Sequence, residues 1–405
     1  MNEEQLRVRL EAVDVPPSRL EMDALVRAGR RRAFRRHSAQ AAGGLALVTG
    51  VLLAVPLIVA QTGSPPPVRA GTGSAAASAP ASAGPVDRCR MTELPVPSGM
   101  KDAEAAAIDP TGRYIVGNDV VKQDFRPILW TDGLPKALPV PGKSVQVTDV
   151  NASGVAVGVV QDPQQEYVFR YENGAYTRLR TPSGSWHVYP APAINAAGDI
   201  VINAEPSGKI EGEDSIVLLW KAGSTTAVTL AVPTEANAYD ITDDGTIVGG
   251  MYKDGHASTP YAWDQQGNGR KLTLPAGQTG VAYAAEGNWA TGGLWPSMAP
   301  ALWNLQTGEV TKVEIPGPDV SKLSKEEQEK AEKRGGQGPG NAVNASGWIV
   351  ARGASFVVRD GATVELEAPS GQTSKAEDVS DTGLVVGHAT TAVDGENLGP
   401  RLWRC

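Results

Sequence analysis

Three histidines, His187, His256 and His388, are the residues of this 405-residue chain best placed to move a proton near neutral pH outside its N-terminal segment. Three acids, Asp240, Asp243 and Asp244, crowd one short stretch and invite a cation. Neither set carries the pattern its chemistry requires. A calcium loop alternates its ligands, whereas Asp243-Asp244-Gly245 is ordinary turn chemistry. The histidines belong to separate copies of a repeat, far apart on any ring those copies form, so they do not make a three-histidine metal site. With two cysteines, a Cys-rich zinc site is excluded by count. No Gly-x-Ser-x-Gly, phosphate loop or paired-carboxylate signature occurs in supporting context. Asn151-Ala152-Ser153 and Asn344-Ala345-Ser346 match a glycosylation triplet only because a turn motif produces it. No catalytic residue, metal ligand or cofactor is therefore assigned.

What positions these residues is a repeat. Asp240 to Gly249 has two apolar, β-rich runs flanking an Asp/Gly turn, the pattern of a tight hairpin, and related copies recur. The turn glycines are Gly112, Gly154, Gly198, Gly245, Gly287, Gly347 and Gly383, spaced by 42, 44, 47, 42, 60 and 36 residues. Each hairpin is followed by an apolar strand, usually ending in Trp (Trp130, Trp220, Trp263, Trp303, Trp403), and then by a short strand running into Pro. A hairpin cannot bury its apolar face alone, so the copies must stack, and the spacing is that of a four-stranded propeller blade. Proline in the last strand suits an edge.

The ends agree with this reading. Leu94 to Pro97 is a strand of the last type with no hairpin before it, and Leu402-Trp403-Arg404-Cys405 is a Trp strand with no outer strand after it. The two halves complete one blade. The expected fold is an all-β, seven-bladed β-propeller over residues 88–405, its N-terminal strand closing the last blade. Antiparallel pairing of those ends puts Cys89 beside Cys405, giving a disulfide if the domain is exported; the alternative is two free thiols.

The good copies, Ala193-Ile194-Asn195-Ala196-Ala197-Gly198 and Leu219-Trp220-Lys221-Ala222-Gly223, resemble the extracellular HAF-type repeat family. The resemblance spans roughly residues 89–405 but lacks the His-Ala-Phe triplet that names the family. It implies a propeller and no particular activity. A single Trp263-Asp264 dipeptide does not make a WD40 repeat.

Before the repeats come three short regions. Residues 1–40 hold nine Arg against six Asp or Glu, a net of +3 that leaves −11 for the remainder of a chain of charge −8. Residues 41–60 are uncharged and rich in Leu, Val and Ala, enough for one transmembrane helix, and the arginines before it place the N-terminus in the cytoplasm. No small-x-small cleavage site follows, so the helix is read as an uncleaved signal-anchor. Residues 61–87 form a Pro/Ala/Ser linker. The Ala/Pro/Arg-rich composition reads as bacterial, from an actinobacterium. The domain is thus expected outside the cell membrane. Its acidity argues against nucleic acid as a partner.

The long connections share one face of the expected ring and the tight turns share the other. Trp186, His187, Tyr189, His256, Trp295 and His388 fall on the long-loop face and are the candidate binding face for a protein, peptide or glycan, with residues 1–40 free to meet a cytoplasmic partner. A charged insertion, Asp319 to Gln337, accounts for the spacing of 60 and falls on that face too. The rival expectation is a lyase or hydrolase of the cell envelope, with one of the three histidines as its base.

Overall fold

The computed structural model describes residues 88–162, 166–189, 191–207, 214–253, 256–315, 338–351 and 353–405. The segments 1–40, 41–60 and 61–87 and the insertion Asp319 to Gln337 lie outside the described residues. Among the described residues every regular element is a strand, and no helix is long and apolar enough to cross a membrane.

The described strands form seven antiparallel four-stranded units, called blades here, in an all-β, propeller-like arrangement. Burial falls from inside to outside within a blade, which explains its sequence. In the second blade the inner strand Val145–Val150 is buried throughout and Ala156–Gln161 nearly so; the second reads as an apolar run, while the first mixes Val with buried Gln146, Thr148 and Asp149. The outer strand Ala175–Arg178 is mostly exposed and reads as an edge. The inner strands are Ala103–Ile108, Val145–Val150, Ala193–Ile194 with Trp186–Val188, Ala236–Ile241, Thr279–Glu286, Gly340–Val343 and Gln372–Val379. Each touches the inner strand of the next blade, and the last touches the first.

Two devices explain the repeated residue types. Four Trp strands donate an indole N–H to a backbone carbonyl of the preceding blade: Trp130 to Pro95 at 2.6 Å, Trp220 to Arg180 at 3.1 Å, Trp303 to Thr273 at 2.8 Å and Trp403 to Glu367 at 2.8 Å. Each ring is fully buried, so it fills the gap between blades while its N–H satisfies a carbonyl there. Second, the inner strands carry a β-bulge where they pass the second strand. Gly117, Gly158, Gly249, Gly292 and Gly387 sit at that crossing, and a Cβ at any of them would collide with inner-strand backbone.

The two ends pair antiparallel as the sequence predicts, but the closing strand is Arg88–Glu93 and not Leu94 to Pro97, which follows it outside any strand. Arg90, Met91, Thr92 and Glu93 pair antiparallel with Arg404, Trp403, Leu402 and Arg401, and Cys89 is bonded to Cys405 across 316 residues with Cα atoms 4.3 Å apart. The N-terminal strand Arg88–Glu93 also does something unforeseen. Arg88 and Cys89 pair parallel with Glu365 and Leu366, the outer edge of the sixth blade, so the sixth and seventh blades share one eight-stranded sheet.

Two outcomes test this construction. Reducing the disulfide removes a loop constraint worth at most about 6 kcal/mol for a 316-residue separation, and a clear fall in the thermal midpoint under reductant is expected by circular dichroism. Gly249→Ala is expected to cost on the order of 3 kcal/mol in denaturant unfolding through its backbone collision. Gly223→Ala, at φ +76° with open space around it, costs about 1 kcal/mol for backbone strain alone; equal costs would remove the bulge argument.

Candidate functional site

The bulges decide what lines the inside of the ring. At each register jump one inner-strand residue is left opposite no partner: Ala106, Thr148, Tyr239, Tyr283, Asn341 and Glu377. In the third blade the inner strand is interrupted between Val188 and Ala193, and Tyr189 begins the interruption. The six bulged residues sit at the register jump of their blades, and Tyr189 in the third lies close enough to Tyr239 to act on its ionisation. The set is uneven in chemistry, aromatic from Tyr189 to Tyr283 and polar or charged at Asn341 and Glu377.

The aromatic part is continuous. The Tyr239 and Tyr283 rings meet edge to face with centroids 5.1 Å apart, and Trp295 stands against Tyr283 at 6.4 Å and 88°. The Tyr239 hydroxyl lies 2.5 Å from that of Tyr252, on the second strand of its own blade. The Tyr189 hydroxyl donates to a carboxylate oxygen of buried Glu205 at 3.0 Å, and its phenol lies near enough to help raise the pKa of both Tyr239 and Tyr252. Burial is the larger cause of both shifts, so Tyr239 and Tyr252 stay protonated. His187 Nδ1 is paired with Glu166 Oε2 from the second blade. Trp186 is half-buried and donates its indole N–H to the Pro182 carbonyl at 3.2 Å.

The charged part lies where the last blade meets the first. His388 Nε2 is 4.0 Å from Glu104 and its Nδ1 is 3.8 Å from Glu377. Burial lowers the His388 pKa against the pull of Glu104, and burial likewise lowers that of Lys375, which neighbours Glu377.

The candidate residues are thus partly gathered. Tyr189 and Trp295 belong to the aromatic crescent, with His187 and Trp186 on the adjoining strand. His388 stands at the junction of blades seven and one. His256 is exposed at the start of the third strand of the fourth blade, opposite Lys253. All three histidines stand in strands, correcting the expectation that they occupy connections. The strands run on through the stretches read as long loops. Tyr114–Val121 and Asp124–Thr131, for instance, leave only Lys122 and Gln123 between them. Tyr239, Tyr252, Tyr283 and Glu205 were not singled out from sequence. Alignment on the turn glycine was the available signal, since Tyr239 stands as far before Gly245 as Thr148 stands before Gly154. Among the described residues no three His, Cys, Asp or Glu side chains gather as a metal site.

The tight-turn end of the ring shows what the acids do, and it amends the reading of Asp240 and Asp243 as turn residues. Asp149, Asp240 and Asp378 each accept a backbone N–H from their own strand and one from the next blade: Ile194 at 2.7 Å, Ala285 at 2.8 Å and Ile108 at 2.8 Å. Asp243 accepts from Ala196 at 2.7 Å, and only Asp244 serves its own turn. Asn151, Asn195 and Asn344 donate to the carbonyls of Asn195, Thr242 and Ser380 in the following blades, which also leaves Asn151 and Asn344 buried as glycosylation acceptors. Burial pushes Asp378 up to about 7 despite its backbone donors. Among the described residues Glu286 has no hydrogen-bond partner on either oxygen, and it is pushed up to about 11, by burial first and by Asp381, Asp243, Asp240 and Asp378 after it.

A carboxyl whose folded pKa is raised stabilises the fold fully below its unfolded pKa and loses that contribution as pH climbs toward the folded value. For Glu286 the loss begins near its ordinary 4.5 and runs through the neutral range. Glu286→Gln is therefore expected to be more stable than the wild type at pH 8, by on the order of 1–3 kcal/mol, and to converge with it near pH 4. Denaturant midpoints across that range check it; a gain independent of pH would exclude titration as the cause.

No protein-family model matches the chain, and no curated protein matches it. Among solved structures it is similar to an oligogalacturonate lyase in complex with manganese, with 11% identity and a TM-score of 0.49 over 74% of this chain and 87% of the other. It is also similar to oligogalacturonate lyase from Vibrio parahaemolyticus, with 10% identity and a TM-score of 0.46 over 74% and 88%. Putative TolB from Agrobacterium tumefaciens gives 14% identity and a TM-score of 0.32, and the match spans 41% of this chain and 63% of that one.

Proposed function

We propose that the chain is a membrane-anchored, extracytoplasmic seven-bladed β-propeller that binds a protein, peptide or glycan at the end of the ring opposite the tight turns. Residues 41–60 anchor it, residues 61–87 tether it, and residues 1–40 remain in the cytoplasm for a partner there. The observation that carries this reading is the aromatic crescent. Tyr189, Tyr239, Tyr283 and Trp295 gather on inner strands and strand ends of three adjoining blades, and all are only half-buried. Partly exposed aromatic groups held by regular strands offer large contact area at small entropic cost, which is what recognition surfaces use. The tight-turn end, by contrast, spends its polar side chains on neighbouring blades.

One observation supports a second reading as an envelope lyase or hydrolase. His187 is held by Glu166, and a histidine oriented by a carboxylate is arranged as a general base.

Full-length protein in detergent, presented to envelope fractions, separates the two. A partner retained by the wild type should be lost from a Tyr189→Ala/Trp295→Ala variant that keeps its thermal midpoint. Equal retention by both proteins, or no retained partner, would sink the binding reading. Turnover of envelope material that vanishes in His187→Ala would favour the enzyme instead.

A further inference from the structure

We infer that Tyr239 and Tyr252 form an oxidative cross-linking site, at which a peroxide acting through a peroxidase joins the two phenols by a carbon–carbon bond. Such a site goes beyond the binding reading and does not depend on it.

The backbone brings the two tyrosines together. Tyr239 is the bulged residue of the inner strand Ala236–Ile241. Tyr252 lies on the neighbouring strand Ile247–Lys253, where its N–H donates to the Glu235 carbonyl at 2.9 Å. Their rings meet at the hydroxyl ends. The two oxygens are 2.5 Å apart, while the ring centroids are 6.5 Å apart and the planes are inclined by 53°. In an oxidised phenol the unpaired electron is shared with the carbons beside the hydroxyl-bearing carbon, and those ortho carbons are where two rings couple. Contact at the hydroxyls sets ortho carbons of the two rings close to one another, and strands bonded into one sheet keep them there.

Two further observations favour this pair. Tyr252 also hydrogen-bonds Tyr283 of the fifth blade, and Tyr283 meets Tyr239 at 5.1 Å and Trp295 at 6.4 Å. The pair is thus the end of a line of oxidisable rings, all of them half-buried, through which an electron can leave without the oxidant touching either phenol. Burial also keeps both phenols protonated, so each must lose its proton as it loses its electron. A neighbouring hydroxyl oxygen in hydrogen-bond contact is placed to take it.

The chemistry balances. Each tyrosine gives up one electron and its hydroxyl proton, leaving two phenoxyl radicals. The radicals join through one ortho carbon of each ring, and the hydrogen on that carbon moves to the ring's own oxygen, restoring both hydroxyls. Two C–H bonds break, one C–C bond forms, and two electrons with two protons reduce one hydrogen peroxide to two waters.

The experiment exposes the full-length protein in detergent to hydrogen peroxide and a haem peroxidase and maps the products by mass spectrometry. Asp240, Asp243 and Asp244 lie between the two tyrosines, so cleavage before aspartate separates their peptides unless they are joined. A joined product two hydrogens lighter than the sum of its peptides is expected, with a yield unchanged on about tenfold dilution of the protein. The link closes a short loop of chain and should raise the thermal midpoint. Tyr252→Phe, which keeps the ring and removes the hydroxyl, should abolish the product; its own thermal midpoint establishes that it is folded, and Tyr239→Phe replaces it if it is not.

Tyr176, at 42% exposure, gauges the oxidant. Oxidised Tyr176 beside unjoined Tyr239 and Tyr252 would overturn the inference. So would a product that joins either of them to Tyr283 instead, a product lost on dilution, or one that persists in Tyr252→Phe. Mapping of the wild type alone decides the matter if neither variant folds.

Discussion

Everything in this fold depends on how one sheet's inner strand is bonded to the next. A four-stranded antiparallel sheet satisfies its own backbone inside the ladder but leaves the edge of its innermost strand with unpaired N–H and C=O groups. Near the axis these groups are buried, where an unpaired one costs on the order of 1–3 kcal/mol. The structure answers with side chains rather than with a continuous ladder. Asp149, Asp240 and Asp378 reach across to amides of the following blade. Asn118 and Asn203 go further, each accepting from and donating to the same residue, Val147 or Ala238. The result is a ring whose blades are joined by polar contacts at the centre and by Trp N–H bonds farther out.

That arrangement divides labour along the axis. At the tight-turn end the aspartates Asp149, Asp240 and Asp378 are committed to neighbouring blades, and burial raises the pKa of each. The bulged residues of the same inner strands are more varied: Ala106 in the first blade, Tyr239 and Tyr283 in the fourth and fifth and Glu377 in the last, while Thr148 and Asn341 still donate to backbone carbonyls of the next blade, Pro192 and Glu377. His388 shows the boundary between these roles. It occupies the second-strand position that Asn118 and Asn203 use as clamps, but at the closing junction it stands between Glu104 and Glu377 instead.

The sequence reveals the architecture more fully than the site, and for a physical reason. Turn glycines and buried Trp residues obey local rules that hold in every copy, so spacing alone leads to seven blades, to the pairing of Leu402-Trp403 with the N-terminal strand, and to Cys89–Cys405. The clamps were harder to see because Asp240 and Asp243 serve a blade distant in sequence, while their setting beside Gly245 looks like local turn chemistry. The glycines of the second strand were overlooked because Gly inside a strand pattern has meaning only once the bulge opposite is known. Tyr239 and Tyr283 were missed because bulges shift the alternation of inward and outward side chains. The histidines were misplaced because the ladders extend past the polar stretches that resembled loops.

The double pairing of Arg88–Glu93 also governs how the ring bears tension. Chain preceding residue 88 enters at a strand already bonded to two blades, and one residue later it is covalently joined to Cys405. A pull arriving along that chain is therefore divided at once between the outer strand and the C-terminal strand of the last blade. The antiparallel hydrogen bonds between those two strands cannot be peeled apart from the N-terminal side, because the disulfide lies ahead of them. Load passes instead into the eight-stranded sheet as a whole, and the remaining five blades feel it only as a displacement of their neighbours.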